Sequence, residues 1–65
     1  MDYIVETLDN KKRFTDREEA LERFFELAEA AELRHQGLEY AKQMLKSNGQ
    51  FTLNSVTRWI RISEI

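Results

Sequence analysis

Carboxylates are the groups with which this sequence could do most chemistry, and they are concentrated in its first half. The 65-residue chain carries 12 acidic and 10 basic side chains, a formal net charge of −2. Residues 1–33 hold ten of the acids and five of the bases, whereas residues 34–65 hold two acids and five bases. The two halves therefore have charges of −5 and +3. Such asymmetry predicts an acidic surface on one element and a mildly basic patch on another.

Four glutamates recur every three or four residues in a segment with helical periodicity. With Leu21 at zero on a helical wheel, they fall between about 60° and 140°. At 1.5 Å of rise per residue they form a row roughly 16 Å long. Arg17 and Arg23 lie off this row, so we expect them to neutralise little of it. The row, termed the acidic ridge, consists of Glu18, Glu22, Glu26 and Glu29, with Glu19 and Glu32 beside it.

The acidic ridge has two interpretations. A rigid row of negative charges is similar to the phosphate track of a nucleic acid, and could compete for a basic DNA-binding groove on another protein. Alternatively, it is a solvated helix face that keeps a small domain soluble.

The C-terminal segment suggests the opposite function. Residues 53–61 resemble the recognition helix of excisionase and MerR-type winged-helix regulators, and contain Arg58, Trp59 and Arg61. That resemblance implies a helix-turn-helix-like regulator whose arginines enter the major groove. The net negative charge of the chain argues against direct nucleic-acid binding.

Metal binding and catalysis find little support. Glu32 and His35 have the spacing of half a di-iron motif, and Glu39 follows, but one histidine cannot complete such a site. The chain has no cysteine, which excludes thiolate metal sites and fits a reducing cytosol. No nucleophile motif or phosphate-binding glycine loop is present. We therefore expect no cofactor, no metal and no enzymatic activity.

The elements that position these residues follow from local patterns. β-Branched and aromatic residues predict a strand over 3–8, and the turn-forming pair Asp9-Asn10 after it suggests a short return strand over 11–14. Thr15 with Glu18 has the spacing of a capping box, which predicts a helix from there to Arg34. A phase change at 35–37 predicts two helices or one sharply kinked helix, with the second part over 38–47 ended by Asn48 and Gly49.

The segment over 51–63 alternates, which favours one strand, although Leu53, Val56 and Ile60 also fit helical spacing. The expected fold is a single α+β domain, in which the N-terminal strand or hairpin and the C-terminal strand form a small antiparallel sheet with two helices on one face. The predicted core is Leu21, Phe24, Phe25, Leu27, Leu38, Leu45, Val56, Ile60 and Ile62, with Tyr40, Met44 and Phe51 as possible additions.

In size, lack of cysteine and charge layout, the chain resembles small phage-encoded anti-defence proteins, including anti-CRISPR inhibitors of the DNA-mimic type. That resemblance implies a cytosolic host partner, such as a CRISPR effector subunit with a basic nucleic-acid-binding surface. No apolar run is long enough to span a membrane. We expect the protein to be a monomer or a weak homodimer. A third hypothesis is a structural accessory protein that dimerises through the face carrying Phe24 and Phe25.

Overall fold

The computed structural model describes residues 1–65, which form four strands and two helices. Their order along the chain is β1, β2, α1, α2, β3, β4. The strands are β1 (Tyr3–Thr7), β2 (Lys11–Phe14), β3 (Gln50–Asn54) and β4 (Trp59–Glu64), and the helices are α1 (Arg17–Ala30) and α2 (Leu38–Asn48).

The strands form one antiparallel sheet in the order β2-β1-β4-β3. The two hairpins, β1-β2 and β3-β4, meet where β1 pairs with β4, so the chain's first and last strands lie at the centre. α1 packs against β1, β2 and β4, and α2 packs against β3 and β4. The small α+β fold predicted from the sequence is therefore confirmed.

The core lies between the helices and one face of the sheet. Phe24, Leu21, Leu45 and Ile62 are its largest fully buried side chains, and Ile60 is also buried. All five were predicted, whereas Phe25 and Leu27 are only partly buried. Alternation along β1 and β4 places Tyr3 and Val5 on the same side as Ile60 and Ile62.

Two predicted core residues are exposed. Val56 is 102% exposed because it lies in the loop between β3 and β4, and Leu38 is 41% exposed at the first turn of α2. The prediction failed for both because helical or strand spacing does not by itself bury an apolar side chain. The side chain is buried only where another helix or strand packs over it.

α1 begins one residue later than the sequence pattern suggests. Asp16, not Thr15, is the N-cap, and its Oδ1 accepts a hydrogen bond from the Glu18 N–H at 3.1 Å. Glu18 and Glu19 then lie in the first turn, where the helix dipole favours negative charge. The predicted N-cap is thus wrong by one position, and the capping box between Thr15 and Glu18 does not form.

α1 ends at Ala30, four residues before the predicted end. The Glu32 N–H donates to the Glu29 carbonyl at 3.1 Å, and the Leu33 N–H donates to the Ala28 carbonyl at 2.9 Å. This pair of bonds is a Schellman motif, in which Glu32 adopts a left-handed conformation with φ of 58°. The motif turns the chain so that Leu33 enters the core.

The break between the helices is confirmed. α2 starts after Gly37, whose φ of 96° suits glycine, and it ends at Gly49 in the left-handed conformation (φ 76°). The Gly49 N–H donates to the Leu45 carbonyl at 2.8 Å, which closes the last turn.

The C-terminal segment is a hairpin, not one strand and not a helix. Residues 55–58 form the loop between β3 and β4, where the Ser55 N–H donates to the Arg58 carbonyl at 2.7 Å. The alternation was recognised correctly within β4, but the loop was missed because Val56 and Thr57 are strand-forming residues.

Candidate functional site

The acidic ridge exists as an exposed row on α1. The side of α1 that carries Ala20, Leu21, Phe24 and Ala28 is buried against the sheet. The ridge residues point elsewhere, and all six glutamates assigned to partner binding are exposed: Glu18, Glu19, Glu22, Glu26, Glu29 and Glu32.

Part of the ridge forms ion pairs with bases of the same chain. Glu18 lies 3.5 Å from Lys42 Nζ on α2 and 3.7 Å from Arg17, and Glu26 lies 3.6 Å from Arg23. Although Arg17 and Arg23 lie off the row, their long guanidinium side chains reach Glu18 and Glu26 at neighbouring positions around the helix. Lys42 was not anticipated, since only the tertiary structure brings α2 beside α1.

Glu22 and Glu29, together with Glu19 and Glu32, form no ion pair. The pairs of Glu18 and Glu26 are solvent-exposed, with both glutamate side chains more than half exposed. Exposed pairs of this kind contribute about 0–1 kcal/mol each and exchange readily with other partners. The α1 surface thus retains an excess of negative charge that a basic partner could contact.

A second cluster lies on the sheet face opposite the helices. Trp59 and Arg61 are two residues apart on β4, so they lie on the same outward side, and the guanidinium carbon of Arg61 is 5.2 Å from the Trp59 ring centroid. Arg61 also donates to Glu6 Oε1 at 3.2 Å. Arg58 lies nearby in the exposed β3-β4 loop.

This geometry corrects the helix-turn-helix interpretation. The structure brings Arg58, Trp59 and Arg61 together, but on a loop and a strand instead of on a recognition helix. A short strand in the middle of a sheet cannot enter a major groove as a helix does. The alternation of Trp59 and Arg61 with Ile60 and Ile62 predicts that the first two share one side of the strand, and in the structure this is the side that the helices leave open.

His35 has a local role at the turn before α2. Its Nδ1 accepts a hydrogen bond from the Gly37 N–H at 3.2 Å, and its ring lies 4.8 Å from that of Phe25. No three aspartate, glutamate or histidine side chains come together in a way that could hold a metal ion.

The hypothesis of dimerisation through Phe24 and Phe25 is wrong in its choice of surface. Phe24 is fully buried, and its ring packs against Phe25 at 5.4 Å and Phe51 at 5.8 Å. It is thus part of the core and cannot face a second molecule.

Comparison with known proteins identifies no relative of this chain, so only its surfaces indicate a function. No protein-family model, curated protein or solved structure matches the chain. Neither helix has the length and apolar character required to cross a lipid bilayer.

Proposed function

We propose that this protein is a non-enzymatic inhibitor that binds a basic, nucleic-acid-binding groove of another protein through the acidic ridge. The observation that carries the proposal is the exposure of Glu22 and Glu29, which lie on one side of α1 and have no ion-pair partner. Glu22 and Glu29 are seven residues apart, about 10 Å along the helix axis, so a groove lined with lysine and arginine can contact both at once, with the exposed Glu26 between them.

The attachment of α1 to the sheet supports this function. Ala20, Leu21, Phe24 and Ala28 are buried, so the orientation of the helix, and with it the row of carboxylates, is set before a partner binds. Binding of a partner therefore costs little conformational entropy beyond that of the glutamate side chains of the ridge, which favours affinity.

The resemblance to anti-CRISPR inhibitors suggests which partner to test first. Such a partner is a CRISPR effector complex whose basic groove holds duplex DNA. The acidic ridge would occupy that groove in place of the phosphates, so binding should weaken as salt is added.

The test is competition between the protein and DNA for a purified effector complex. Labelled target duplex is bound to the complex, and its release is followed by fluorescence anisotropy as the protein is added. We expect salt-sensitive displacement, and a loss of at least about tenfold in apparent affinity in the double variant Glu22→Lys/Glu29→Lys, because two favourable charge contacts become repulsive.

A matched control reverses two acids outside α1. Asp9→Lys/Glu39→Lys changes the net charge equally, at exposed positions without ion pairs, and should displace DNA as well as the parent protein does. Equal displacement by Glu22→Lys/Glu29→Lys, with unchanged circular dichroism, would contradict the role of the ridge. No displacement by the parent protein would rule out this effector as the partner.

The Trp59–Arg61 cluster favours a second candidate, direct binding of nucleic acid to the open sheet face. Aromatic and arginine side chains on a sheet can stack with unpaired bases. The same anisotropy assay without the effector tests it, with labelled duplex and labelled single strands at low salt. Binding that is lost in Arg58→Ala/Arg61→Ala would support this candidate, and no binding would eliminate it.

A further inference from the structure

The two edges of the sheet differ in how they are protected. Edge strand β2 carries Lys11, Lys12 and Arg13 in succession, all exposed. Charged side chains on an edge strand are a common barrier to pairing with another chain. The opposite edge, β3, has the sequence Gln-Phe-Thr-Leu-Asn and no charge at all. Only β3 is thus left open to pairing.

The hydrogen-bond pattern shows which backbone groups β3 presents at its edge. The Glu64 N–H donates to the Gly49 carbonyl at 2.8 Å, and the Ser55 N–H donates to the Arg58 carbonyl at 2.7 Å. Because hydrogen-bonded pairs alternate along an antiparallel ladder, odd-numbered β3 residues bond to β4. The backbone N–H and C=O groups of Gln50, Thr52 and Asn54 therefore point away from the sheet, and all three residues are exposed.

These three positions are self-complementary. If β3 pairs antiparallel with β3 of a second copy, centred on Thr52, then Thr52 lies opposite itself and Gln50 lies opposite Asn54. Roughly six backbone hydrogen bonds form, two at each of the three pairs. No like charges meet, and opposed threonines are a favourable cross-strand pair. Antiparallel pairing of β2 with β2 of a second copy would instead bring cationic side chains together.

An apolar margin runs beside this edge on the helix side of the sheet. Phe51 and Leu53 are only partly buried, and the Tyr40 ring packs on Phe51 at 5.7 Å while remaining 39% exposed. In the antiparallel pairing, Phe51 lies diagonal to its own copy and directly opposite Leu53, so the second molecule covers side chains that the monomer leaves partly in water.

We infer that β3 is a homodimerisation edge, at which two copies pair antiparallel about Thr52 to form a continuous eight-stranded sheet. The occupant is a second copy of this chain because the edge is uncharged, complements itself at each outward position and is flanked by apolar side chains. The inference is independent of the acidic ridge, which lies on α1 above β1 and β4.

The experiment is sedimentation velocity of the full chain over a concentration series up to the millimolar range. The parent protein should form a dimer. Thr52→Glu should raise the dimer dissociation constant at least about tenfold, because two carboxylates then meet on the two-fold axis. The monomer keeps its fold, since residue 52 is exposed and pairs with Arg61, an opposite charge, on β4.

The decisive variant pair is Thr52→Glu and Thr52→Lys. Because Thr52→Lys places a second cation opposite Arg61, circular dichroism is used first to establish that this variant is folded. Each alone should be monomeric, whereas an equimolar mixture should form a heterodimer, because opposite charges then face each other. Thr57→Glu, in the exposed β3-β4 loop, is the matched control and should dimerise like the parent. The inference is overturned if the parent stays monomeric throughout, if Thr52→Glu dimerises like the parent, or if the mixture does not associate.

Discussion

At the scale of single residues, the most unusual conformation belongs to Glu32. It is the one non-glycine residue with positive φ, and it occupies the position after the C-cap of α1 at which glycine is most common. A residue with a Cβ is destabilised by roughly 1–2 kcal/mol in this left-handed conformation. The exposed carboxylate forms no ion pair in return, so its conformation weakens the fold without a compensating contact.

Glu32→Gly should stabilise the protein. Relief of the left-handed strain exceeds the extra flexibility that glycine gives the unfolded chain, so we expect a net gain of about 0.5–1 kcal/mol. For a domain of this size, that corresponds to an increase of several degrees in Tm, measured by circular dichroism. Glu32→Ala removes the same charge but keeps the Cβ, and should show no such gain. An equal gain in both variants would assign the effect to charge.

At the scale of elements, the start of α1 depends on a single side chain. Asp16 caps the Glu18 N–H, whereas Thr15 makes no side-chain hydrogen bond to the helix. Both residues are common N-caps, and each is followed by a glutamate three positions later. The sequence therefore offers two equivalent start points, and the route of the chain out of β2 selects the second.

Removal of the cap distinguishes the two positions. Asp16→Ala should lower the free energy of unfolding by about 1 kcal/mol, because a helix N–H loses its acceptor. Thr15→Ala should change it by less than about 0.5 kcal/mol, as is usual for exposed positions without a specific contact. Urea denaturation followed by circular dichroism measures both, and equal losses would mean that the two residues share the capping role.

At the scale of the whole molecule, the acidic ridge and the Trp59–Arg61 cluster lie on opposite sides of the sheet. Five of the glutamates assigned to partner binding lie on α1 and Glu32 follows it, whereas Arg61 lies on the open face of the sheet, paired with Glu6, and Arg58 lies in the loop beside it. A basic protein and a nucleic acid would thus approach from different sides. A single core of 11 buried residues must hold both faces in place, and a domain of 65 residues is expected to be stable by only roughly 3–10 kcal/mol.

Because this core is small, one truncation at its centre should unfold the domain. Phe24→Ala removes a fully buried ring at a cost of about 3–5 kcal/mol, comparable with the total stability. Phe25→Ala removes the neighbouring, partly buried ring and should leave a folded protein with a lower urea midpoint. Circular dichroism in water separates the two outcomes. A folded Phe24→Ala variant would show that the free energy of unfolding of the parent exceeds the cost of this truncation.

Local patterns predicted the elements well where side-chain type and spacing agreed. The exposure of the acidic ridge follows from helical periodicity, since Leu21, Phe24 and Ala28 had to face the sheet. Partners across elements could not be predicted in this way. The Glu18–Lys42 pair joins residues of two helices, and no sequence rule states how close those helices pack. Likewise, Val56 fits a strand but lies in a loop.

By itself, the sequence determined the types of the elements, the break at Gly37 and the side of α1 that carries negative charge. These depend on contacts within a few residues, where backbone geometry is nearly constant. The tertiary structure alone decided that residues 50–64 form a hairpin, that the side of β4 carrying Trp59 and Arg61 is the open one, and that β3 is an uncharged edge. Whether a strand lies at the edge or at the centre of a sheet depends on which distant segments pair with it. This pairing is decided only when the whole chain folds.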